Sequence, residues 1–157
     1  MTNTLQYPWQ QEKIIAHSEL IIQNYYYWTG KKLLDIKGSP LEISKALFEA
    51  PFALLSHGHE ADPIYNYGNQ KALELMEFSW REFTQMPSRK SAEVILQQER
   101  DNLLKQTISK GFSHFTGIRI SKTGRRFYIG DGILWNMLDK QNQLCGQAAV
   151  YSKYQFQ

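Results

Sequence analysis

The stretch Phe112–Tyr151, FSHFTGIRISKTGRRFYIGDGILWNMLDKQNQLCGQAAVY, decides the fold. Within it Phe112, His114, Thr116, Ile118 and Ile120 alternate, and the turn Lys122-Thr123-Gly124 follows. From Arg125 to Leu138 the alternation resumes, with Phe127, Ile129, Ile133, Trp135 and Met137 expected on one side. Asp139-Lys140-Gln141-Asn142 interrupts the run, and Leu144–Tyr151 continues it with Gly146, Ala148 and Val150. Period two broken by polar turns predicts an antiparallel three-stranded meander. Such a sheet must lay an apolar face against something, which the remaining chain has to supply.

Immediately upstream, Ser91–Lys110 reads as an amphipathic helix, with Ala92, Ile95, Leu96, Leu103, Thr107 and Ile108 on one broad face and Gly111 at its end. Further back, Phe52–Ser56 and Pro63–Tyr67 read as two short strands flanking the polar turn His57–Asp62. Asn69 caps a short helix over Gln70–Met76, and Ser79 with Glu82 forms a capping box for another. Ser39-Pro40-Leu41-Glu42 specifies a third start, which must stop before Pro51. Trp9–Trp28 carries Ile14, Ser18, Ile21, Tyr25 and Trp28 at helical spacing, with Gly30 as the stop. That stripe suits packing on the chain's own sheet or pairing with the same helix of a second copy. The layout is therefore α+β: residues 1–50 as an N-terminal helical extension, and residues 51–157 as a domain with helices between its second and third strands.

Bulk properties narrow the classes. The chain has 157 residues, of which 42% are hydrophobic and 21% charged, a folded rather than disordered composition. A net charge of +3 without a basic stripe argues against nucleic acid as a partner. The single cysteine, Cys145, excludes an internal disulfide and points to a reducing, cytoplasmic setting. Met1-Thr2-Asn3-Thr4 shows no signal-peptide pattern, and no stretch is apolar enough to span a membrane.

The element order resembles the PAS fold. Asp62-Pro63-Ile64-Tyr65-Asn66-Tyr67-Gly68-Asn69-Gln70-Lys71-Ala72-Leu73 looks like the PAS strand that runs into a capping asparagine, and Ser79-Trp80-Arg81-Glu82-Phe83 like the capped turn after it. Gly117–Phe127 and Gly146-Gln147-Ala148-Ala149-Val150 are similar to the PAS-like MEKHLA domain, found alone in bacteria and at the C-terminus of plant class III homeodomain-leucine zipper proteins. Glu77 stands where PAS sequences commonly carry glycine. The resemblance implies a five-stranded antiparallel sheet and a sensory or interaction module rather than a catalyst.

Several residues could carry chemistry. His57-x-His59, with Glu60 and Asp62, offers imidazoles and carboxylates to a metal, but no third ligand is evident and a polar turn needs none. Haem and flavin are the cofactors to weigh. The long helix holds no histidine for haem, and His114 lies beyond it on a strand. Cys145, on the final strand, is misplaced for a flavin adduct, whereas Asn136 and Gln147 occupy strands whose amides contact the ring in flavin-binding relatives. Asp131 marks either the polar end of a pocket or a bulge at Gly130 and Gly132 that turns it to solvent.

The leading expectation is a PAS-like sensor that binds a small molecule and signals to a separate protein, with Tyr65, His114, Tyr128, Asp131, Trp135, Asn136 and Gln147 around the ligand. The alternative is a homodimerisation module acting through the N-terminal helix with no small ligand. A lower alternative is an isomerase or dehydratase on a cone-shaped fold, with Asp131 or His114 as base.

Overall fold

The computed structural model of the protein describes residues 6–157, so the signal-peptide expectation on Met1–Thr4 lies outside the described residues. The chain forms α1 (Glu12–Thr29), α2 (Pro40–Phe48), β1 (Ala53–Gly58), β2 (Tyr65–Gly68), α3 (Gln70–Met76), α4 (Trp80–Phe83), α5 (Gln97–Lys110), β3 (Phe112–Ile120), β4 (Arg126–Leu138) and β5 (Leu144–Phe156). All strand pairs are antiparallel, in the order β2-β1-β5-β4-β3. The expected α+β architecture is the one the chain adopts.

Capping chemistry sets the helix ends. Ser39 Oγ accepts from the Glu42 amide at 3.2 Å while the Glu42 carboxylate accepts from the Ser39 amide at 3.0 Å, and Ser79 with Glu82 repeats the exchange at the head of α4. Gly30 closes α1 in the left-handed conformation, φ 71°. Glu77 closes α3 in the same region, φ 62°, which accounts for the glycine that PAS sequences favour here. Its carboxylate accepts from Ser121 Oγ and Thr123 Oγ1, tying the end of α3 to the β3–β4 turn.

Two expectations are corrected. The helix anticipated from Ser91 begins only at Gln97; Ser88–Ser91 and Val94–Leu96 are 3-10 turns. Ala92 and Glu93 keep extended backbones, and the Glu93 carboxylate is held by Arg126 at the start of β4, so Ile95 is 86% exposed instead of facing the core. In β4, the expected single apolar face does not exist. The pairing register shifts on both sides of Asp131, where a bulge exchanges the two faces. Phe127 and Ile129 pack with α3 and α4 residues on one side of the sheet, and Ile133, Trp135 and Met137 pack beneath α1 on the other. Gly132 is required there, since a Cβ would lie 2.6 Å from the Phe115 ring.

Consequently the sheet is buried on both faces. α1 and α2 cover the outer face with Ile14, Ile21, Tyr25 and Leu47, sharing one core with Leu54, Tyr67 and Trp135. Asn24 brackets β4 by donating to Leu138 O and accepting from its amide, both at 3.0 Å, and Trp28 Nε1 donates to Asn136 O at 2.9 Å. The stripe that could have met a second copy is therefore spent within the chain.

Asn69 is fully buried and joins three elements. Its Oδ1 accepts from the amides of Leu54 and Ala72, and its Nδ2 donates to Leu47 O and Phe52 O. Asn69→Ala strips the α3 cap and leaves buried backbone groups unpaired. We expect a loss of about 3 kcal/mol in urea denaturation, and a loss below ~0.5 kcal/mol would contradict this role.

Candidate ligand cavity

The inner face of the sheet and α5 enclose a cavity of about 50 Å³. Leu55, Met76, Leu104, Ile129, Leu134 and Ala149 contribute aliphatic wall. Polar groups enter from several elements: His57 on β1, Tyr65 on β2, Ser91, Arg100 on α5, Arg119 on β3 and Tyr151 on β5. No carboxylate stands among the lining residues described. Outside it, a groove of about 560 Å³ runs between α5 and the edge strand β3, sharing Arg100, Leu103, Phe115 and Arg119 with the cavity. These four residues form the boundary between groove and cavity.

The two guanidiniums are held differently. Arg100 is 7% exposed, donates to Ser88 Oγ and approaches the half-exposed Asp101 carboxylate at 3.6 Å. Arg119 donates to its own neighbour Ile118 O at 3.0 Å and lies 5.9 Å from the centre of the Phe115 ring. Burial lowers its pKa, with Arg100 adding to this and the Tyr65 and Tyr151 phenols and the Glu99 carboxylate opposing it. Burial likewise raises the pKa of Tyr151, which stays a neutral hydrogen-bonding phenol. His57 uses Nδ1 to donate to Gly58 O at 2.8 Å, leaving Nε2 as an acceptor that is buried and without a partner.

The structure separates the residues expected around a ligand. Tyr65 lines the cavity, 4% exposed. Asn136 and Gln147 face the same side but are already paired. Asn136 Nδ2 donates to Thr107 O and Ile108 O, and Gln147 Nε2 donates to Leu104 O and Asn136 Oδ1, so both amides anchor the end of α5. His114 and Tyr128 line the outer groove instead of the cavity. The Asp131 side chain is 63% exposed and 4.0 Å from His114, because the bulge turns it outward; neither residue has the enclosed setting a catalytic base would need. Trp135 is buried on the opposite face, edge-on to Tyr25 at 4.9 Å, since adjacent residues on a strand point to opposite sides. His57, Arg100, Phe115, Arg119 and Tyr151 were not anticipated. A usable signal was present for Arg100, a cation at helical spacing with Leu96, Leu103 and Thr107, whereas Arg119 falls on the side of its strand opposite Ile118 and Ile120 and gave none.

The metal and cofactor readings can be judged on the same geometry. His57 is buried and His59 exposed, Glu60 accepts from the Ile64 amide and Asp62 pairs with Arg89, so these side chains do not converge. Among the described residues no cluster of three or more ligating side chains is present. Ligand pockets ordinarily measure ~300–1,000 Å³. A flavin or haem does not fit this cavity, and the strand amides that would meet a flavin ring are occupied by α5.

The fold and cavity define a PAS-like domain, and comparison with known proteins places it more narrowly. Residues 15–156 match the MEKHLA domain, and the chain belongs to that family. Homeobox-leucine zipper protein HOX29 from Oryza sativa subsp. indica is 27% identical over 126 residues, as is its counterpart from subsp. japonica. Each match covers 76% of this chain but only 14% of the plant protein's length. Among solved structures, the PAS domain of a protein from Colwellia psychrerythraea superposes with a TM-score of 0.62 at 12% identity, over 74% of this chain and 94% of that one. A light-oxygen-voltage domain studied with a flavin analogue gives 0.58 at 14% identity, over 74% and 84%. The dark structure of the blue-light photoreceptor Aureochrome1 LOV gives 0.53 at 16% identity, over 78% and 88%. At these identities the structural likeness speaks for the fold. Among the described residues no helix is long and apolar enough to cross a membrane.

A buried histidine and a half-buried one give the domain a pH response. Burial pushes His57 and His17, the latter bonded to Ser56 Oγ at 2.8 Å, from about 6.5 down to about 4. Both are neutral when folded, so below pH 6.5 the unfolded chain takes up protons that the folded chain refuses. Stability should be full above about pH 7, fall by a few kcal/mol between about pH 6.5 and 4, and gain no further loss from these groups below that. Urea midpoints across this range check it: the fall should shrink in both His17→Gln and His57→Gln, and a fall as large as the wild type's in either variant would contradict the assignment.

Proposed function

We propose that this MEKHLA domain is a sensory module that holds a small molecule between the inner face of its sheet and α5, and reports occupancy through protein contact without catalysis. The observation that carries this reading is the enclosed cavity with Arg119, Tyr65, Tyr151 and an unpaired His57 Nε2 on its wall. Folding buries such groups at a cost unless something pairs with them. The neighbouring groove supplies a route inward, and α5 supplies the element that a ligand would reposition. A reducing cytoplasm suits the lone cysteine, and the receiver of the signal is a separate protein or domain.

Ala149→Leu tests the reading, because its extra carbons fill the cavity without adding charge. Native and denatured intact masses should differ for the wild-type protein purified from cell extract, and agree for the variant, whose melting temperature should be unchanged or higher. A retained ligand of undiminished occupancy in the variant would place binding elsewhere.

One observation favours a second reading, self-association through α1. Tyr26 and Tyr27 are 57% and 69% exposed on the helix face that does not meet the sheet. Deleting the helix would uncover the core, so the informative variant is Tyr26→Glu with Tyr27→Glu. Sedimentation velocity should show a dimer in the parent lost in this variant; a dimer unaffected by both charges would remove α1 from the interface.

A further inference from the structure

Resting on the sensory reading, we infer that the cavity is built for a small monocarboxylate whose charged end meets Arg119 and whose short apolar tail lies against Leu134 and Ala149. Charge balance is the first ground. Arg100 and Arg119 both border the cavity, yet the ion pair found here joins only Arg100 to Asp101, at 3.6 Å. Arg119 has as its hydrogen-bond partner a neutral carbonyl, Ile118 O. Glu99, on the wall of the adjoining groove, acts on the half-buried Arg119 from beyond ion-pair distance, so the guanidinium keeps donors open to an anion that enters the cavity.

The geometry of the donors is the second ground. Arginine offers a planar fork that matches a carboxylate with two parallel hydrogen bonds. The Tyr65 and Tyr151 phenols lie near enough to Arg119 for each to influence its ionisation, and phenol hydroxyls can donate to the remaining carboxylate lone pairs. Arg100 and Arg119 stand where the groove joins the cavity, and beyond them the aliphatic side chains Ile129, Leu134 and Ala149 share the wall with Tyr65, Tyr151 and His57. A ligand with a charged end and a short apolar tail can meet Arg119 and the phenols with the one and these aliphatic side chains with the other.

Size is the third ground. The space behind the two guanidiniums, about 50 Å³, admits a short aliphatic chain, whereas the bulk of a nucleotide or a sugar phosphate would have to stay outside in the groove. A phosphate group would bring a second negative charge with no second unpaired cation to meet it, and would leave the apolar end unfilled.

Butyrate, its neutral counterpart butyramide and inorganic phosphate separate these properties. Titrations followed by nitrogen–proton NMR on the full chain should show butyrate moving the Arg119 side-chain signal and the Ala149 amide saturably. Butyramide should bind at least ten-fold more weakly, and phosphate should leave Ala149 unmoved. Arg119→Gln should weaken butyrate at least ten-fold while butyramide is unchanged. If that variant melts without cooperativity, Tyr151→Phe replaces it and should weaken butyrate several-fold, again without touching butyramide. Equal binding of butyrate and butyramide, or an unaltered butyrate affinity in the variant, would overturn the carboxylate assignment and leave the ligand-binding reading standing. So would displacement of the same signals by phosphate with equal affinity. If acetate, butyrate and benzoate all fail to saturate, the carboxylate assignment falls, and xenon then decides the broader reading. Xenon-induced shifts at Ala149 would retain a ligand-accessible cavity, and their absence would remove that too.

Discussion

The bulge in β4 is the constraint on which the rest of the structure depends. Without the register shift around Asp131, alternation would place Phe127, Ile129, Ile133, Trp135 and Met137 on one face, leaving the other polar. With it, the first half of the strand serves the inner layer and the second half serves the outer one. Gly132 permits the crossing because Phe115 on the neighbouring strand lies across it. β3 adds no extra residue opposite this bulge, Phe115 pairing with Gly132 and Gly117 with Ile129, so its alternation runs through unbroken and Phe115 and Arg119 both turn toward the cavity.

A sheet divided in this way must be covered twice. α1 closes the outer face through Tyr25, Asn24 and Trp28, and Asn136 and Gln147 close the inner one by holding the carbonyls of α5. Asn136 connects the layers, since its side chain binds α5 while its carbonyl accepts from Trp28 on α1. A shift of α5 therefore has a short physical route to the helix on the far side of the sheet. That route runs through hydrogen bonds of defined geometry, which have few alternative arrangements.

Much of the architecture was legible because local chemistry and tertiary structure agree at the helix ends and turns. The Ser39 and Ser79 capping boxes, the Asn69 cap, Gly30 and the β3–β4 turn all lie where residue types predict them. The start of α5 was misplaced because Ala92 to Leu96 are good helix residues held extended and in turns by the Glu93–Arg126 pair, a contact 33 residues distant in sequence. The site was legible only in part, for one physical reason. A bulge reverses every later side chain on its strand, and period-two counting cannot place it. Trp135 was therefore assigned to the cavity, and Asp131, flanked by glycines, was the one residue whose ambiguity hinted at the reversal. Tyr65, expected around a ligand, lines the cavity, whereas Arg100 and Arg119, which also line it, were not among the expected residues.

This domain places cationic and phenolic side chains on the wall of a small cavity, in a fold that superposes on light-oxygen-voltage domains. The polar groups line a volume of about 50 Å³ with no carboxylate on its described wall, and Arg119 donates to the neutral carbonyl of Ile118. The most direct measurement is a crystal structure of the protein as purified, at a resolution that shows ordered water. Density within hydrogen-bonding distance of the Arg119 guanidinium and the Tyr151 hydroxyl, continuous with the space beside Ala149, is the predicted result. A dry cavity with Arg119 turned out into the groove and paired with a carboxylate there would contradict it.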